Sequence, residues 1–142
     1  MIVLDTDHLS ELQRAGSRAG ARLLARLEVS AGEEVAITII TVEEQIRGRL
    51  AEIHRKARGI DEVPSYDRLL ALIDFYATWS ILPFDEGSAL QRDLLRKMKI
   101  RIGAMDLKIA SIVLTRRATL LSANLRDFQQ VPGLHVEDWL RD

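Results

Sequence analysis

Cysteine is absent from all 142 residues, which excludes disulfides, thiolate zinc sites and cysteine nucleophiles. The three histidines, His8, His54 and His135, lack the spacing of metal ligands, so we expect each to be a surface or a structural residue. A chain without cysteine is compatible with a reducing compartment. We therefore expect a cytoplasmic location.

Long apolar runs are also missing. No stretch approaches the roughly 20 apolar residues that a membrane-spanning helix requires. Residues 1–5 lack a basic leader and reach a carboxylate at once, so we expect neither a secretory signal nor a membrane partner. With 47% hydrophobic and 29% charged residues, the composition is that of a globular protein, and we predict one domain over residues 1–142.

The net charge of −1 gives no overall positive field that would attract nucleic acid. The basic residues are mostly arginine and fall into clusters, one of which has the four-residue spacing of a single helix side. A solvated helix face is the commoner explanation of such a stripe, and it indicates RNA binding only beside a phosphodiester-cleaving site. The clusters are Arg14, Arg18, Arg22 and Arg26, then Arg47, Arg49, Arg55, Lys56 and Arg58.

Strand-like and helix-like segments alternate along the whole chain. Such alternation predicts an α/β fold whose parallel sheet is covered by helices on both faces. The predicted strands are residues 2–4, 35–40, 80–84 and 119–122, with a candidate fifth at 134–136, and the predicted helices are residues 19–29, 41 to about 57, 64–80, 87–97 and 104–114.

Polar side chains follow three of these strands. In open α/β sheets the functional crevice lies beyond the carboxyl ends of the strands, so these side chains are expected to share one edge. Thr41 is the expected N-cap of the helix after the second strand, which would place two glutamates in its first turn. The polar side chains are Asp5 and Asp7 after the first strand, Glu43 and Glu44 after the second, and Ser122, Asn124 and Asp127 after the fourth.

Asp106 stands near the start of an otherwise apolar helix. An unpaired buried carboxylate is costly, so Asp106 should be neutralised, paired or bound to a metal. The alternative is a helix-start acid that satisfies free amide groups. Oxygen donors without cysteine favour Mg²⁺ or Mn²⁺ over zinc. Together with Asp5 and Glu44, Asp106 therefore predicts a metal site suited to activating water at a phosphate.

Four segments extend over nearly the whole chain: MIVLDTDHLSEL, ITIITVEEQIRG, IGAMDLKIAS and LLSANLRDFQQVPGLHVEDW. Taken together, they resemble the successive motifs of PIN domains, in particular of VapC-type toxins, and they occur in the family's order. The resemblance implies a three-layer α/β/α fold around a central parallel sheet of four to five strands.

The resemblance also assigns metal ligands. Asp5 is similar to the family's first metal-binding aspartate and Asp106 to its third acid. Glu44 is similar to the second acid, because Gly48 follows four positions later as in the family pattern. Glu43 is the alternative if the register shifts by one, although on a helix it would point about 100° away from Glu44.

Asn124 stands where many family members have a fourth acid. Its carbonyl oxygen can still bind a cation, but it brings no charge. Asp127 is the alternative fourth acid, and its other role would be that of a helix-start carboxylate. Arg47 and Arg126 are expected to contact the phosphates that flank the cleaved bond.

The function implied is that of an Mg²⁺- or Mn²⁺-dependent endoribonuclease, the toxin of a type II toxin–antitoxin pair. A homodimer and a cognate antitoxin are implied as well. The segments at 41–58 and 64–80 are candidates for the antitoxin groove, although core packing and dimer contact would explain the same apolar stripe. We expect Asp5 and Asp106 to hold the metal, and Glu44 to orient a water whose in-line attack leaves a 5′ phosphate and a 3′ hydroxyl.

Two alternatives remain open at this point. Asp5-x-Asp7 after an apolar strand also begins the site of haloacid-dehalogenase-type phosphatases, in which the first aspartate is the nucleophile. That assignment lacks a convincing later lysine with paired acids, and it leaves Glu44 without a role. The second alternative is a non-catalytic binding module that has kept the fold, and Asn124 is the residue that supports it.

Overall fold

Five parallel strands form one sheet, in the order β3-β2-β1-β4-β5, in the computed structural model, which describes residues 1–55 and 58–141. The strand β1 lies at the centre and is buried throughout, as expected for a parallel strand covered on both faces. The strands are β1 (Ile2–Leu4), β2 (Val35–Thr38), β3 (Ser80–Leu82), β4 (Thr119–Leu121) and β5 (His135–Glu137).

Helices precede or follow each strand. Their order along the chain confirms the predicted α/β fold with a parallel sheet of five strands. No helix within the described ranges is long and apolar enough to cross a membrane. The helices are α1 (Thr6–Gln13), α2 (Arg18–Val29), α3 (Ile39–Arg55), α4 (Val63–Tyr76), α5 (Glu86–Lys97), α6 (Ala104–Arg116) and α7 (Leu125–Phe128), with a short 3₁₀ helix at Gly59–Glu62.

The sheet separates two apolar layers, because successive strand residues point to opposite faces. Val3 packs in one layer with residues of α5 and α6, such as Leu95 and Ile109. Leu4 packs in the other layer with residues of α1 to α4, such as Leu9. Layers on both faces of the sheet confirm the predicted three-layer α/β/α architecture.

The boundary between β2 and α3 lies two residues earlier than predicted. The strand was expected to reach Ile40, with Thr41 as the N-cap, but α3 begins at Ile39. The side chain of Thr38 accepts a hydrogen bond from Thr41 N at 3.2 Å, so Thr38 performs the capping role. The β-branched run favoured a longer strand, but the cap at Thr38, three residues before the predicted one, starts the helix earlier.

This shift also corrects the position of the glutamates after β2. With α3 beginning at Ile39, Glu43 and Glu44 lie in the second turn, and the first turn has no acidic residue. The predicted end of this helix, near Ala57, lies outside the described residues, as does Lys56.

The helix α1 was not predicted, and it divides the expected arginine stripe. Arg14 is the C-cap of α1 with extended backbone angles, and Gly16 at φ 75° turns the chain before α2. Arg14 therefore does not share a helix with Arg18, Arg22 and Arg26, and only the last three lie on α2. The four-residue spacing across the turn carried no structural meaning.

The other boundaries lie within a few residues of their predicted positions. The helix expected to reach Ser80 ends at Tyr76, and β3 ends at Leu82 rather than residue 84. Pro83 follows directly and has no N–H to donate to the sheet. The fifth strand is present one residue later than the candidate at 134–136.

Candidate metal centre

Asp5 lies at the carboxyl end of the central strand and begins α1. Its backbone N–H donates to the carbonyl of Leu121 at 2.9 Å, which fixes β1 against the end of β4. Its Oδ1 accepts a hydrogen bond from Thr6 N at 2.8 Å, and its Oδ2 accepts one from the Ser122 hydroxyl at 2.7 Å. The residue is only 6% exposed, so its carboxylate is held in one orientation.

The pKa of Asp5 is raised from its ordinary value of 3.8 to about 7, and burial is the largest cause. The neighbouring carboxylates of Asp7 and Asp106 also raise it, whereas the hydrogen bonds from Ser122 and Thr6 lower it. Asp5 is therefore a carboxyl group in an environment short of positive charge. A divalent cation would supply that charge.

Glu44 comes from the second turn of α3, which is held against α1 by a 3.2 Å hydrogen bond from the Thr6 hydroxyl to that of Thr41. Burial and repulsion by Asp106 raise the pKa of Glu44. Its Oε1 atom is buried and has no hydrogen-bond partner among the described residues. A buried acceptor of this kind is destabilising unless something outside the chain binds it.

Glu43 is placed differently from Glu44. Its carboxylate pairs with Arg47 at 2.8 Å, at the surface. Asp106 affects the pKa of Glu44, so Glu44 is the glutamate that the fold brings beside this acid. Arg47 is occupied with Glu43, and Arg126 is exposed on α7.

Asp106 lies in the first turn of α6 and contacts the segment after β4. The side-chain amide of Asn124 donates to Asp106 Oδ2 at 3.1 Å and to Asp127 Oδ2 at 3.1 Å. Burial raises the pKa of Asp106, the hydrogen bond from Asn124 lowers it, and the charges of Asp127 and Asp7 raise it again. Asn124 therefore bridges two carboxylates through its nitrogen, and a cation-binding role for its carbonyl oxygen stays a prediction.

The fold brings Asp5, Glu44 and Asp106 to one edge of the sheet, where Asp106 repels the charged forms of the other two. In residues 1–55 and 58–141, the side chains as placed give no group of three or more acidic or histidine residues that could hold a metal ion. The donor set nevertheless fits Mg²⁺ or Mn²⁺, because it consists of carboxylate oxygens and includes the unpartnered Glu44 Oε1. Binding would require the side chains to turn toward one another.

Sequence reasoning gave no role to the contact between Asp7 and His8. His8 is fully buried; its Nε2 accepts a hydrogen bond from Trp139 N at 3.1 Å, so its Nδ1 donates to Asp7 Oδ1 at 2.6 Å. Asp7 Oδ2 in turn accepts from Ala123 N at 2.9 Å. His8 is thus a structural histidine, one of the two roles expected from the sequence. It links Asp7, after β1, to Trp139, after β5.

The chain is similar to known proteins in sequence and in fold. No family model matches the chain. Ribonuclease VapC2 of Rickettsia felis is 31% identical over 105 residues, and the match covers 74% of this chain and 74% of that protein. The chain belongs to the VapC family. The resemblance to PIN domains of the VapC type is thereby confirmed, and the phosphatase alternative loses its basis.

A second relative within the family is the tRNA(fMet)-specific endonuclease VapC of Salmonella typhimurium. It is 28% identical over 86 residues, which is 57% of this chain and 65% of that protein. The match therefore spans slightly less than two thirds of the length of the Salmonella protein.

Solved structures of VapC-family complexes share the fold. The complex VapBC2 of Rickettsia felis, bound to a DNA fragment from its promoter, superposes with a TM-score of 0.75 at 23% identity, covering 98% of this chain and 99% of that one. DNA-bound VapBC of Salmonella typhimurium gives a TM-score of 0.73 at 22% identity, with 97% of each chain covered. At these identities the superpositions support the three-layer fold alone.

Proposed function

We propose that this chain is a metal-dependent endoribonuclease that hydrolyses RNA phosphodiester bonds, and that it is the toxin of a toxin–antitoxin pair. The observation that carries the proposal is the convergence of Asp5, Glu44 and Asp106 at the carboxyl edge of the sheet in a member of the VapC family. The relatives' names support the reaction, because they are ribonucleases and one is a tRNA endonuclease.

Asp5 and Asp106 would hold Mg²⁺ or Mn²⁺, with Glu44 beside them. When bound, such a cation lowers the pKa of water and neutralises the charge that develops on the phosphate. The raised pKa of Asp5, about 7, supports a cation here, because a positive charge would favour the ionised form of this buried carboxyl.

The residues around the acids position them. Ser122 and Thr6 hold the two oxygens of Asp5, and Asn124 holds Asp106. Glu44 Oε1 has no partner in the described part of the chain, so it is available to accept a hydrogen bond from the attacking water. The new bond joins the water oxygen to phosphorus, and the bond from phosphorus to the 3′ oxygen breaks, leaving a 3′ hydroxyl and a 5′ phosphate.

A cognate antitoxin is the partner that the comparisons support. One structure of the same fold is a toxin–antitoxin complex from Klebsiella pneumoniae, with a TM-score of 0.67 at 21% identity. On α4, Tyr66 is 54% exposed and Leu70 is 62% exposed. A partner protein would cover apolar surface of this kind. Homodimer formation and a cytoplasmic location remain predictions.

The proposal is tested by incubating the purified protein with a mixed tRNA and synthetic RNA panel in Mg²⁺ or Mn²⁺. The wild-type protein should cleave RNA, and the products should have 5′ phosphates that a 5′-phosphate-dependent exonuclease can degrade. Asp5→Ala and Asp106→Asn should reduce the cleavage rate by about a hundredfold or more, and EDTA should abolish cleavage.

The control is Asp67→Asn, which removes an exposed carboxylate on α4. It should cleave at the wild-type rate. Unimpaired cleavage by Asp5→Ala and Asp106→Asn would refute the site. Complete absence of both cleavage and divalent-ion binding in the wild-type protein would favour the non-catalytic binding module instead.

A further inference from the structure

A polar cavity of about 330 Å³ lies between α1 and α3, next to the acids but separate from them. Among the described residues, no acidic side chain lines it, although Asp5 caps α1 and Glu44 lies on α3. Its lining residues are Ser10, Gln13, Arg14, Gln45, Gly48 and Arg49.

A row of polar contacts between the two helices leads from the acids to this cavity. Thr6 and Thr41 meet at the end near Asp5. One turn further along α3, the side-chain amides of Gln13 and Gln45 exchange hydrogen bonds of 3.1 and 2.8 Å. The hydroxyl of Tyr76 donates to Gln45 Oε1 at 2.8 Å and fixes that amide. The side-chain amides of Gln13 and Gln45 are therefore fixed in position on the floor of the cavity.

The cavity is open beside Gly48, which has no side chain to fill it. It lies inside α3, where glycine is less stable than alanine, and it has no positive φ that would require glycine. A Cβ built at this position meets no atom within 4 Å, so packing within the described chain does not require glycine either. Glu44 lies one turn before Gly48 on the same side of the helix. The open space is thus adjacent to the acid cluster.

Two arginines supply positive charge at the rim. Arg14 is paired with Glu11 at 3.0 Å, and its side chain is 68% exposed. Arg49 is 3.8 Å from Glu52, and its Nε is buried without a hydrogen-bond partner among residues 1–55 and 58–141. A donor left without a partner in this way suits a negatively charged oxygen from outside the chain.

We propose that this cavity is a subsite for one nucleotide of the substrate RNA next to the cleaved bond, an assignment that rests on the proposed function. The guanidinium groups of Arg14 and Arg49 face a phosphate, and the amides of Gln13 and Gln45 with the Ser10 hydroxyl contact the sugar or base edges. The volume is at the lower end of the range for small-molecule sites, about 300 to 1,000 Å³. A polar floor with a cationic rim favours RNA over an apolar peptide segment.

The test measures RNA binding without cleavage. Fluorescence anisotropy of a labelled single-stranded RNA 12-mer of mixed sequence, in EDTA, gives the affinity. Gly48→Leu fills the open space and Arg49→Gln removes a charged donor, and each should weaken binding by about tenfold or more. In steady-state cleavage with Mn²⁺, both should raise KM with little change in kcat, because they act on binding away from the reacting phosphate.

A matched variant on another helix serves as the control. Lys97→Gln removes one exposed positive charge on α5, a helix packed on the opposite face of the sheet from α1, and it should change the affinity by less than about twofold. If Gly48→Leu fails to fold, Arg49→Gln decides the matter, since Glu52 keeps Arg68 as a partner.

The outcomes separate this inference from the proposed function. Unchanged RNA affinity and KM in Gly48→Leu and Arg49→Gln, in a wild-type protein that cleaves RNA, would overturn the subsite and leave the function standing. If the two variants kept their RNA affinity but lost the ability to bind an antitoxin, the subsite would again be overturned. The cavity would then belong to a protein partner. A wild-type protein that binds RNA but does not cleave it would refute the function, and the binding comparison would still decide the subsite.

Discussion

Ser122 donates its hydroxyl hydrogen to Asp5 Oδ2 at 2.7 Å, joining two residues that lie 117 positions apart. Both residues directly follow a strand, and β1 and β4 are neighbours in the sheet. The hydroxyl is fully buried, so the bond is formed away from bulk water. One serine therefore sets the orientation of the carboxylate on which the candidate metal centre depends.

Ser122→Ala should weaken that centre without removing any metal ligand. Loss of the hydroxyl frees Asp5 Oδ2 and removes a hydrogen bond that lowers its pKa, so the acid should bind a cation less well at neutral pH. We expect Mn²⁺ affinity to fall by about 10- to 100-fold by calorimetry. Ser111→Ala is the control, because this buried hydroxyl donates to a helix carbonyl, that of Leu107. Equal Mn²⁺ affinity in the two variants would contradict the positioning role.

Asp5→Asn should change the pH dependence of stability in the metal-free protein. The pKa of Asp5 rises on folding from 3.8 to about 7, so between these pH values the folded chain holds a proton that the unfolded chain has released. The stability that comes from keeping Asp5 protonated is fully present below about pH 4 and is lost as the pH rises through 7. Asparagine stays neutral, so at pH 8 the variant should be more stable than wild type by about 2 to 4 kcal/mol.

Urea denaturation in EDTA at pH 4 and pH 8 measures this difference. At pH 4 the advantage of Asp5→Asn should largely disappear. Asp67→Asn, at an exposed position, should show no such dependence. The same stability difference at both pH values would mean that folding does not raise the pKa of Asp5.

Asn124→Asp should have opposite effects with and without metal. Asn124 donates to both Asp106 and Asp127, and a carboxylate in its place would repel both. In EDTA we expect the free energy of unfolding to fall by about 1 to 3 kcal/mol. With Mn²⁺ the added charge should raise metal affinity. Asn124→Ala loses the two hydrogen bonds without adding charge, so it should be destabilised with no gain in affinity, and a similar gain in both variants would contradict this account.

His8→Phe should destabilise the fold although it leaves every candidate ligand in place. The substitution removes the acceptor for Trp139 N and the donor to Asp7, both in a fully buried position. We expect a loss of about 2 to 4 kcal/mol in urea denaturation and faster hydrogen exchange of the Trp139 amide. His54→Phe, at an exposed site, should leave stability within about 0.5 kcal/mol of wild type. Unchanged exchange at Trp139 would show that His8 does not hold this segment.

The sheet was predictable from sequence because β1 and β4 are short apolar runs that end at polar residues. The helix α1 was not, because only His8 and Leu9 of its eight residues are buried and its polar sequence lacks an apolar stripe. Asp5, interpreted as a candidate ligand, is also the residue that caps this helix. The sequence around Asp5 indicated a candidate ligand, but it did not indicate the cap.

The position of the candidate ligands at one edge was predictable because parallel strands end at the same edge of a sheet. Their hydrogen bonds were not, because the direction of an amide or a hydroxyl depends on neighbours distant in sequence. Asn124 illustrates this limit, because its sequence position gave no indication that its nitrogen bridges Asp106 and Asp127. The contact of His8 with Trp139 likewise joins residues 131 positions apart and left no local signal.

The most direct test of the shared metal site is an Mn²⁺ titration by isothermal calorimetry on the wild-type protein and on Asp5→Asn, Glu44→Gln and Asp106→Asn. We predict saturable binding by the wild type and by Asp67→Asn, and a loss of about tenfold or more in affinity for each of the three site variants. Wild-type Mn²⁺ affinity in all three site variants would show that Asp5, Glu44 and Asp106 do not bind one cation.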